Sequence, residues 1–415
     1  MPYFGILCTA ACDAQRKRAC DELSMMRNRK DFVRVSQLLK KAFIKKKYRQ
    51  GCRRKMELAT VTQKKDEKQF LKFRKNLYQS NKIFIDNSYF MIREVFRKQT
   101  SFINGKEIYP INVIDDGRIV SQGIVVFAKD LPDYIQLCFF ESLPDQSEAV
   151  KMLLDQAIEI GKSKGCKKIV VGLNGHVNYG LGFLSSHYDT VNSFSATANP
   201  SYYHDYFKSM DFSEIKMNTY VIHTIDQRLD SFQKLFEKLD KTYTFRNFDK
   251  KRFNDDAKIY TDLNNQTFTS HRYYYQRNYQ EDIEMLKELF LFMKEDSLIF
   301  AFQGDTPVGF IMWYPDFNEL GKIGDIFGAK HFFKNIFCGS RIKTAKIMEY
   351  GILDENRRSG LALALINQIF KNLKNYHITR AETSWILDEN KDSNSFCQAI
   401  CDSRYKDYVT YEKDF

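Results

Sequence analysis

The sequence predicts a mixed α/β fold: two tandem copies of one α/β unit behind a basic N-terminal arm. One order of hydrophobic patterns, a hairpin followed by strand, helix, strand, helix and strand, occurs twice along the 415 residues. The two runs, 117–223 and 304–412 from turn glycine to the end of the last strand, are nearly equal in length. Charge is divided just as sharply. Residues 1–55 hold 16 Lys/Arg against 4 Asp/Glu, so the net +12 of the whole chain belongs to this arm and the remainder is neutral. The expected organisation is therefore an arm (1–55), a first unit (56–225), a connector helix (226–241) and a second unit (242–415).

Taken in order, the arm has one short helical pattern, Phe32, Val35, Leu38, Leu39 and Phe43, and reads as a flexible solvated extension. The first unit opens with a strand at 58–62 and a helix at 66–77. Strands at 111–114 and 119–127 flank Asp115-Asp116-Gly117, a strong hairpin turn. A strand at 134–140, a helix at 146–163, a strand at 167–173, a glycine-rich loop, a helix at 202–209 and a strand at 216–223 complete it. After an amphipathic stretch at 229–239 the second unit repeats the order. It has a strand at 242–248, a helix at 255–266 and a hairpin 298–302/308–313 around Gln303-Gly304-Asp305. A strand at 347–353, a helix from Leu361, a strand at 378–386, a helix opened by Asn390 and a strand at 405–412 follow.

Composition narrows the function. No run approaches the roughly 18 apolar residues a membrane-spanning helix needs, and the apolar piece at 3–11 has no basic residue before it, so a secretory leader is not expected and the cytoplasm is the default compartment. Nine cysteines form no C-x-x-C pair, and seven histidines show neither H-x-x-H nor H-E-x-x-H spacing, so no metal site is expected. The neutral body offers no case for nucleic acid, which could meet only the arm.

One stretch carries chemistry. A strand ending near Leu353 meets a polar turn and then Arg357, Arg358, Ser359, Gly360, Leu361 and Ala362, after which Leu361, Leu365, Ile369 and Leu373 recur at helical spacing. Strand, loop and helix start form an anion site. The first helical amides lack intrahelical partners and sit at the positive end of the macrodipole, Gly360 and Ala362 let a phosphate approach the backbone, and the arginines add charged donors.

Arg-x-x-Gly-x-Ala in this setting resembles the acyl-CoA pyrophosphate loop of the GNAT superfamily of N-acyltransferases. The repeated element order matches that superfamily in both copies, as does an asparagine after each fifth strand, Asn199 and Asn390. From about Met56 to Phe415 the chain is similar to a family of bacterial tandem-GNAT proteins, through GLGFL at 180–184, NPSYYHDYF at 199–207, PVGFIMWYPDFN at 307–318 and ETSWILDEN at 382–390. The resemblance implies that acyl-CoA, expected as acetyl-CoA, is the co-substrate, and that the backbone of Gly351, Ile352 and Leu353 pairs with its pantetheine arm.

Direct attack by an amine on a thioester needs a base, an oxyanion donor and a proton for the departing thiolate. Glu349 on the fourth strand and Glu382 on the fifth are the candidate bases; either could instead be a solvated carboxylate or pair with Arg380. The resemblance implies a tyrosine acid about seven residues after Asn390, but that position is Cys397. Tyr408 and Tyr411 are the substitutes, and Tyr206 has the usual spacing in the first copy. The first copy reads Glu141-Ser142-Leu143-Pro144-Asp145-Gln146-Ser147-Glu148 where the second has its phosphate loop. Its carboxylates repel a pyrophosphate, and Asp145 or Ser147 is placed to cap the helix. One CoA site per chain is expected. The loop 172–182, with Asn174, His176, Asn178 and Tyr179, and the strand end carrying Trp313, Asp316 and Asn318 could contribute to acceptor binding or simply form turns.

The sequence thus predicts an acyl-CoA-dependent N-acyltransferase acting on a small-molecule or peptide amine. Two rivals are a Fem-type transferase using aminoacyl-tRNA, which needs a basic groove that the neutral body does not offer, and a non-catalytic acyl-CoA sensor, consistent with Cys397.

Overall fold

The structure is a computed structural model that describes residues 56–415 except 80, 82, 99, 224 and 226–228; the arm 1–55, with its helical pattern, lies outside the described residues. Strand β1 (Met56–Thr60) leads to α1 (Lys64–Leu77), whose start is fixed by a reciprocal box between Gln63 and Asp66, and then α2 (Tyr89–Arg97). The hairpin β2 (Lys106–Asp115) and β3 (Arg118–Ala128) turns at Asp116 (φ 51°) and Gly117 (φ 73°), the two left-handed residues that match the twist of antiparallel strands. Then come β4 (Tyr134–Ser142), α3 (Ser147–Ser163), β5 (Lys168–Val171), β6 (Phe183–Leu184), α4 (Tyr203–Ser209) and β7 (Ser213–Ile222).

A short helix α5 (Gln233–Leu239) connects the halves. The second repeats the order with β8 (Thr244–Asn247), α6 (Phe253–Thr267), α7 (Tyr279–Leu289), β9 (Leu298–Gln303), β10 (Thr306–Pro315), α8 (Ala329–Cys338), β11 (Thr344–Ile352), α9 (Leu361–Asn375), β12 (Arg380–Thr383), β13 (Ile386–Leu387), α10 (Lys391–Ile400) and β14 (Ser403–Asp414). Three helices go beyond the sequence reading, α2, α7 and α8. They are short, and their apolar residues cluster in adjacent pairs rather than recurring over several turns. The single strand expected at 378–386 is two pieces. After Thr383 the ladder to β11 ends, the Ser384 N–H donates to the Ile347 carbonyl at 2.8 Å, and the chain turns so that Ile386 pairs with Asn218 of β7.

Among the described residues the strands form one 14-stranded sheet, with order β1-β2-β3-β4-β5-β14-β7-β12-β11-β10-β9-β8 and with β6 on β14 and β13 on β7. The two halves exchange their last strands. β14, from the second half, pairs with β5 of the first through Tyr411 opposite Val171, while β7, from the first, pairs with β12 through Glu382 opposite Val221. β7 and β14 lie antiparallel at the centre, so residues 57–415 are one compact unit. Helices cover both faces. α9 buries Leu361, Leu365, Ile369 and Leu373 against Trp313 and Ile347, as its spacing demands, and α6 and α7 cover the opposite face through Tyr260, Leu263 and Leu286. No helix among the described residues is long and apolar enough to cross a membrane.

Candidate active site

The site begins where two parallel strands part. β11 and β12 pair from Thr344/Arg380 to Ile347/Thr383, and beyond that point β11 runs on without β12 beside it. The ladder to β10 also slips here, because Met312 faces Glu349 and Trp313 faces Ile347, leaving Met348 as a bulge. The result is a cleft through the sheet, walled by Met348, Glu349 and Tyr350 on one side, by Ser384, Trp385 and Asn390 on the other, and closed by α6 and α10.

At the end of β11 lies the expected anion site. Gly360 holds φ 93° as the residue before α9 and has no side chain to cap that helix start. Arg357 and Arg358 are exposed. Arg357 pairs with Asp354 at 3.0 Å, which is itself exposed and does not bury the charge. The Ser359 hydroxyl accepts from the Leu361 N–H at 3.2 Å, while Ala362 follows within the helix. A Cβ at Gly360 would come within 3.4 Å of Leu239 and 3.5 Å of Leu235, so the connector helix α5 forms the wall beside the loop.

Of the expected backbone segment, Leu353 donates its N–H to the Val308 carbonyl at 3.0 Å. Alternation then directs Gly351 toward β10 as well, and turns the peptides of Tyr350 and Ile352 toward the open side. Ile352 therefore keeps the expected position for an added strand, Gly351 and Leu353 do not, and Tyr350 takes their place. The lack of a side chain at Gly351 has another cause: a Cβ there would lie 2.4 Å from the Thr267 hydroxyl oxygen and 2.6 Å from Phe310.

The two candidate glutamates have opposite surroundings. Glu349 is half-buried at the parting point and accepts a hydrogen bond from Tyr260. Burial raises its carboxyl above the usual range, against the pull of Arg277 and the Tyr260 hydrogen bond, with Asp282 adding to the rise. Arg277 and Asp282 form a fully buried pair at 2.6 Å. Asn264, also on the cleft wall, has a buried side-chain oxygen without a partner. Glu382 is locked instead. It accepts from Lys346 at 3.1 Å and from Ser193 at 2.9 Å, with Arg380 at 3.8 Å. Burial pushes its carboxyl up, but Lys346 and Lys406 outweigh that and hold it below the usual range. It forms a structural ion pair within the second half, to which Ser193 of the first half adds a hydrogen bond.

The substitute acids also move. Tyr408 and Tyr411 lie on β14, which the strand exchange carries into the first half. Tyr408 is fully buried and lines that half's cleft, and Tyr411 bonds His204 at 2.6 Å. Within the second cleft the nearest replacement is Tyr350. Its hydroxyl lies 3.4 Å from Ser393 and its ring packs on Phe396, beside the buried Cys397. Period-two alternation could have found it, since Tyr350 follows Glu349 and so faces the other side of the sheet. Asn390 caps α10 by accepting from the Ser393 N–H at 3.1 Å.

The first half splits in the same way after Leu137/Val171, but α4 engages the loop that precedes α3. The Tyr206 hydroxyl accepts the Gln146 N–H at 3.0 Å, just before the helix, and Tyr203 accepts the Ser142 N–H at 2.9 Å, at the end of β4. Neither Asp145 nor Ser147 caps α3. Glu141 is held by Arg74, Tyr78 and Tyr203. The two clefts meet at Val177, Asn178, Met348, Ser384 and Trp385. Loop 172–182 closes through the Gly182 N–H on the Gly172 carbonyl at 2.8 Å, and His176 packs edge-on against Tyr275 of the second half. Asp316 and Asn318 do not meet that loop; they hold 192–194, accepting from the Phe194 N–H at 2.8 Å and donating to the Asn192 carbonyl at 2.8 Å. The Trp313 indole donates to the Asp296 carbonyl. Among the described residues no group of His, Cys, Asp and Glu is placed to hold a metal ion.

Residues 257–402 match the model of the acetyltransferase (GNAT) family, while no curated protein matches the chain. Among solved structures, a tandem GNAT protein from the clavulanic acid biosynthesis pathway is similar over 87% of this chain and 98% of its own, at 10% identity and TM-score 0.50. A GCN5-related glucosamine N-acetyltransferase region of a fungal multi-domain β-N-acetylglucosaminidase is similar over 87% of this chain and 38% of its own, at 13% identity and TM-score 0.53. At these identities the likeness is one of fold. The second half thus carries a match to the acetyltransferase (GNAT) family model, within a chain whose fold is similar to a tandem GNAT structure.

Proposed function

We propose that this protein is an acyl-CoA-dependent N-acyltransferase, with acetyl-CoA as donor and one donor site per chain, in the second half. A single observation carries the reading: β11, whose half-buried Glu349 lines the parting from β12, runs on into the loop with exposed Arg357 and Arg358 that opens α9 behind Gly360. The start of α9 with Arg357 and Arg358 receives the pyrophosphate, and the peptides of Tyr350 and Ile352 receive the pantetheine arm. Glu349 takes one proton of the acceptor ammonium and passes it to solvent, the neutral amine forms the C–N bond, and the C–S bond breaks as the nitrogen gives its second proton, through Glu349, to solvent. The Tyr350 hydroxyl gives its proton to the thiolate and recovers one from solvent. Burial raises the hydroxyl's pKa, which keeps it protonated for this role. The unpartnered oxygen of Asn264 is placed to accept a second N–H from the amine.

Calorimetric titration with CoA, followed by acetyl transfer across an amine panel, tests this. One site per chain and turnover lost in Glu349→Gln are expected. Two equivalent sites would refute the single donor site, and tight CoA binding without any turnover would favour the sensor.

A further inference from the structure

Between β10 and β11 the second half carries an insert, 316–343, where the first half has only a short turn between β3 and β4. Its helix α8 is anchored from inside: His331 is buried, Phe332 packs edge-on against Phe292 with ring centroids at 5.8 Å, and Asn335 donates to the Phe292 carbonyl at 2.9 Å. Its outer face is apolar. Phe333, Ile336 and Phe337, at helical spacing, are 58, 58 and 80% exposed, with Leu291 beside them at 61%. A contiguous apolar face of this kind on a folded body marks a docking surface.

Charge indicates what covers it. The insert holds five Lys/Arg against three Asp/Glu; Asp316 is buried and Asp325 is engaged by Lys330 at 2.8 Å. That pair takes up Lys330 as well, and Lys294, Lys322 and Arg341, on or next to the insert, are exposed. A second copy docked about a two-fold axis would bring these cationic rims against each other. An anionic bilayer accommodates both features, with the phenylalanines at the acyl boundary and the lysines among phosphates. The arm, net +12 in sequence, supplies a second attraction to such a surface. We infer that α8 and Leu291 form a membrane-interface surface that seats the protein on an anionic phospholipid bilayer.

Cosedimentation of the full chain with phosphatidylcholine vesicles, with and without about 30% phosphatidylserine, tests this. Binding to the anionic vesicles that weakens with salt is expected. It should fall roughly tenfold or more in Phe333→Ser/Phe337→Ser, whose melting should not change because both side chains are exposed, and Lys322→Glu/Arg341→Glu should weaken the preference for anionic lipid to what the arm alone supplies. Absence of vesicle binding would overturn the inference, as would undiminished binding by the double serine variant, which would assign the effect to the arm alone. Self-association of the wild type that the serine variant loses in sedimentation velocity would also overturn it, by giving the face to a second copy.

Discussion

Glu349 and Glu382 are the same residue type on neighbouring strands, and their partners separate their roles. Lys346 fixes Glu382 as an ion, whereas Glu349 has a tyrosine, a distant ion pair and an open cleft. A raised carboxyl pKa means that the basic form appears only above the usual carboxylate range, so kcat/KM should climb with pH through the Glu349 titration. Glu349→Gln should remove that limb and cost roughly 100- to 10,000-fold in rate; a pH–rate profile of both proteins checks it, and an unchanged limb would assign the base elsewhere. At the phosphate loop, Gly360→Glu places charge and bulk against the backbone donors. Losing one or two charge-assisted bonds, at about 1.5 to 3 kcal/mol each, weakens CoA binding by roughly one to four powers of ten. Arg357→Ala should fall near the lower end because the backbone donors remain, and Glu148→Ala in the first half should have no effect. Melting curves must accompany the titrations, since φ 93° at residue 360 strains any side chain. The places of Gly360 before a helix and of Glu349 on a strand were legible in the sequence because both follow from local patterns. Tyr350 was not singled out, because its role depends on which helix faces it.

At the scale of elements, the same strand–loop–helix is built twice in different surroundings. The loop before α9 carries exposed Arg357 and Arg358, while α4 sends Tyr203 and Tyr206 onto the loop before α3. The strand end with Asp316 and Asn318 became a brace, not an acceptor wall. Asp316 is buried and its pKa is pushed up to about 6, first by burial, despite accepting from two backbone N–H groups. The folded state therefore binds the proton more tightly than the unfolded chain, and stability is lost as pH rises from the ordinary carboxylate value through about 6. Asp316→Asn keeps the acceptor oxygen and removes the titration. Between pH 4 and pH 7 the variant should gain about 2 to 4 kcal/mol relative to wild type, measurable by urea unfolding at both pH values. A difference that does not change with pH would show that Asp316 titrates normally.

For the whole molecule, the exchanged strands make the halves interdependent. Residues 242–415 expressed alone would leave β12 without β7 and β14 without either neighbour, exposing paired edges. That fragment should fail to melt as a cooperative monomer, while the full chain melts in one transition; a fragment that is monomeric and cooperative by calorimetry and sedimentation would show that the exchange is dispensable. The sequence by itself determined the repeat, most strands and helices, the hairpin turns and the strand–loop–helix around Gly360, because periodicity, turn chemistry and helix-start composition act over a few residues. Only the tertiary structure decided which half each last strand joins, that Tyr408 and Tyr411 lie in the first half, that Glu382 is an ion pair and that α4 engages the loop before α3. Those outcomes rest on pairings between residues far apart in the chain, and strand alternation fixes which face a side chain takes without fixing the neighbour it meets.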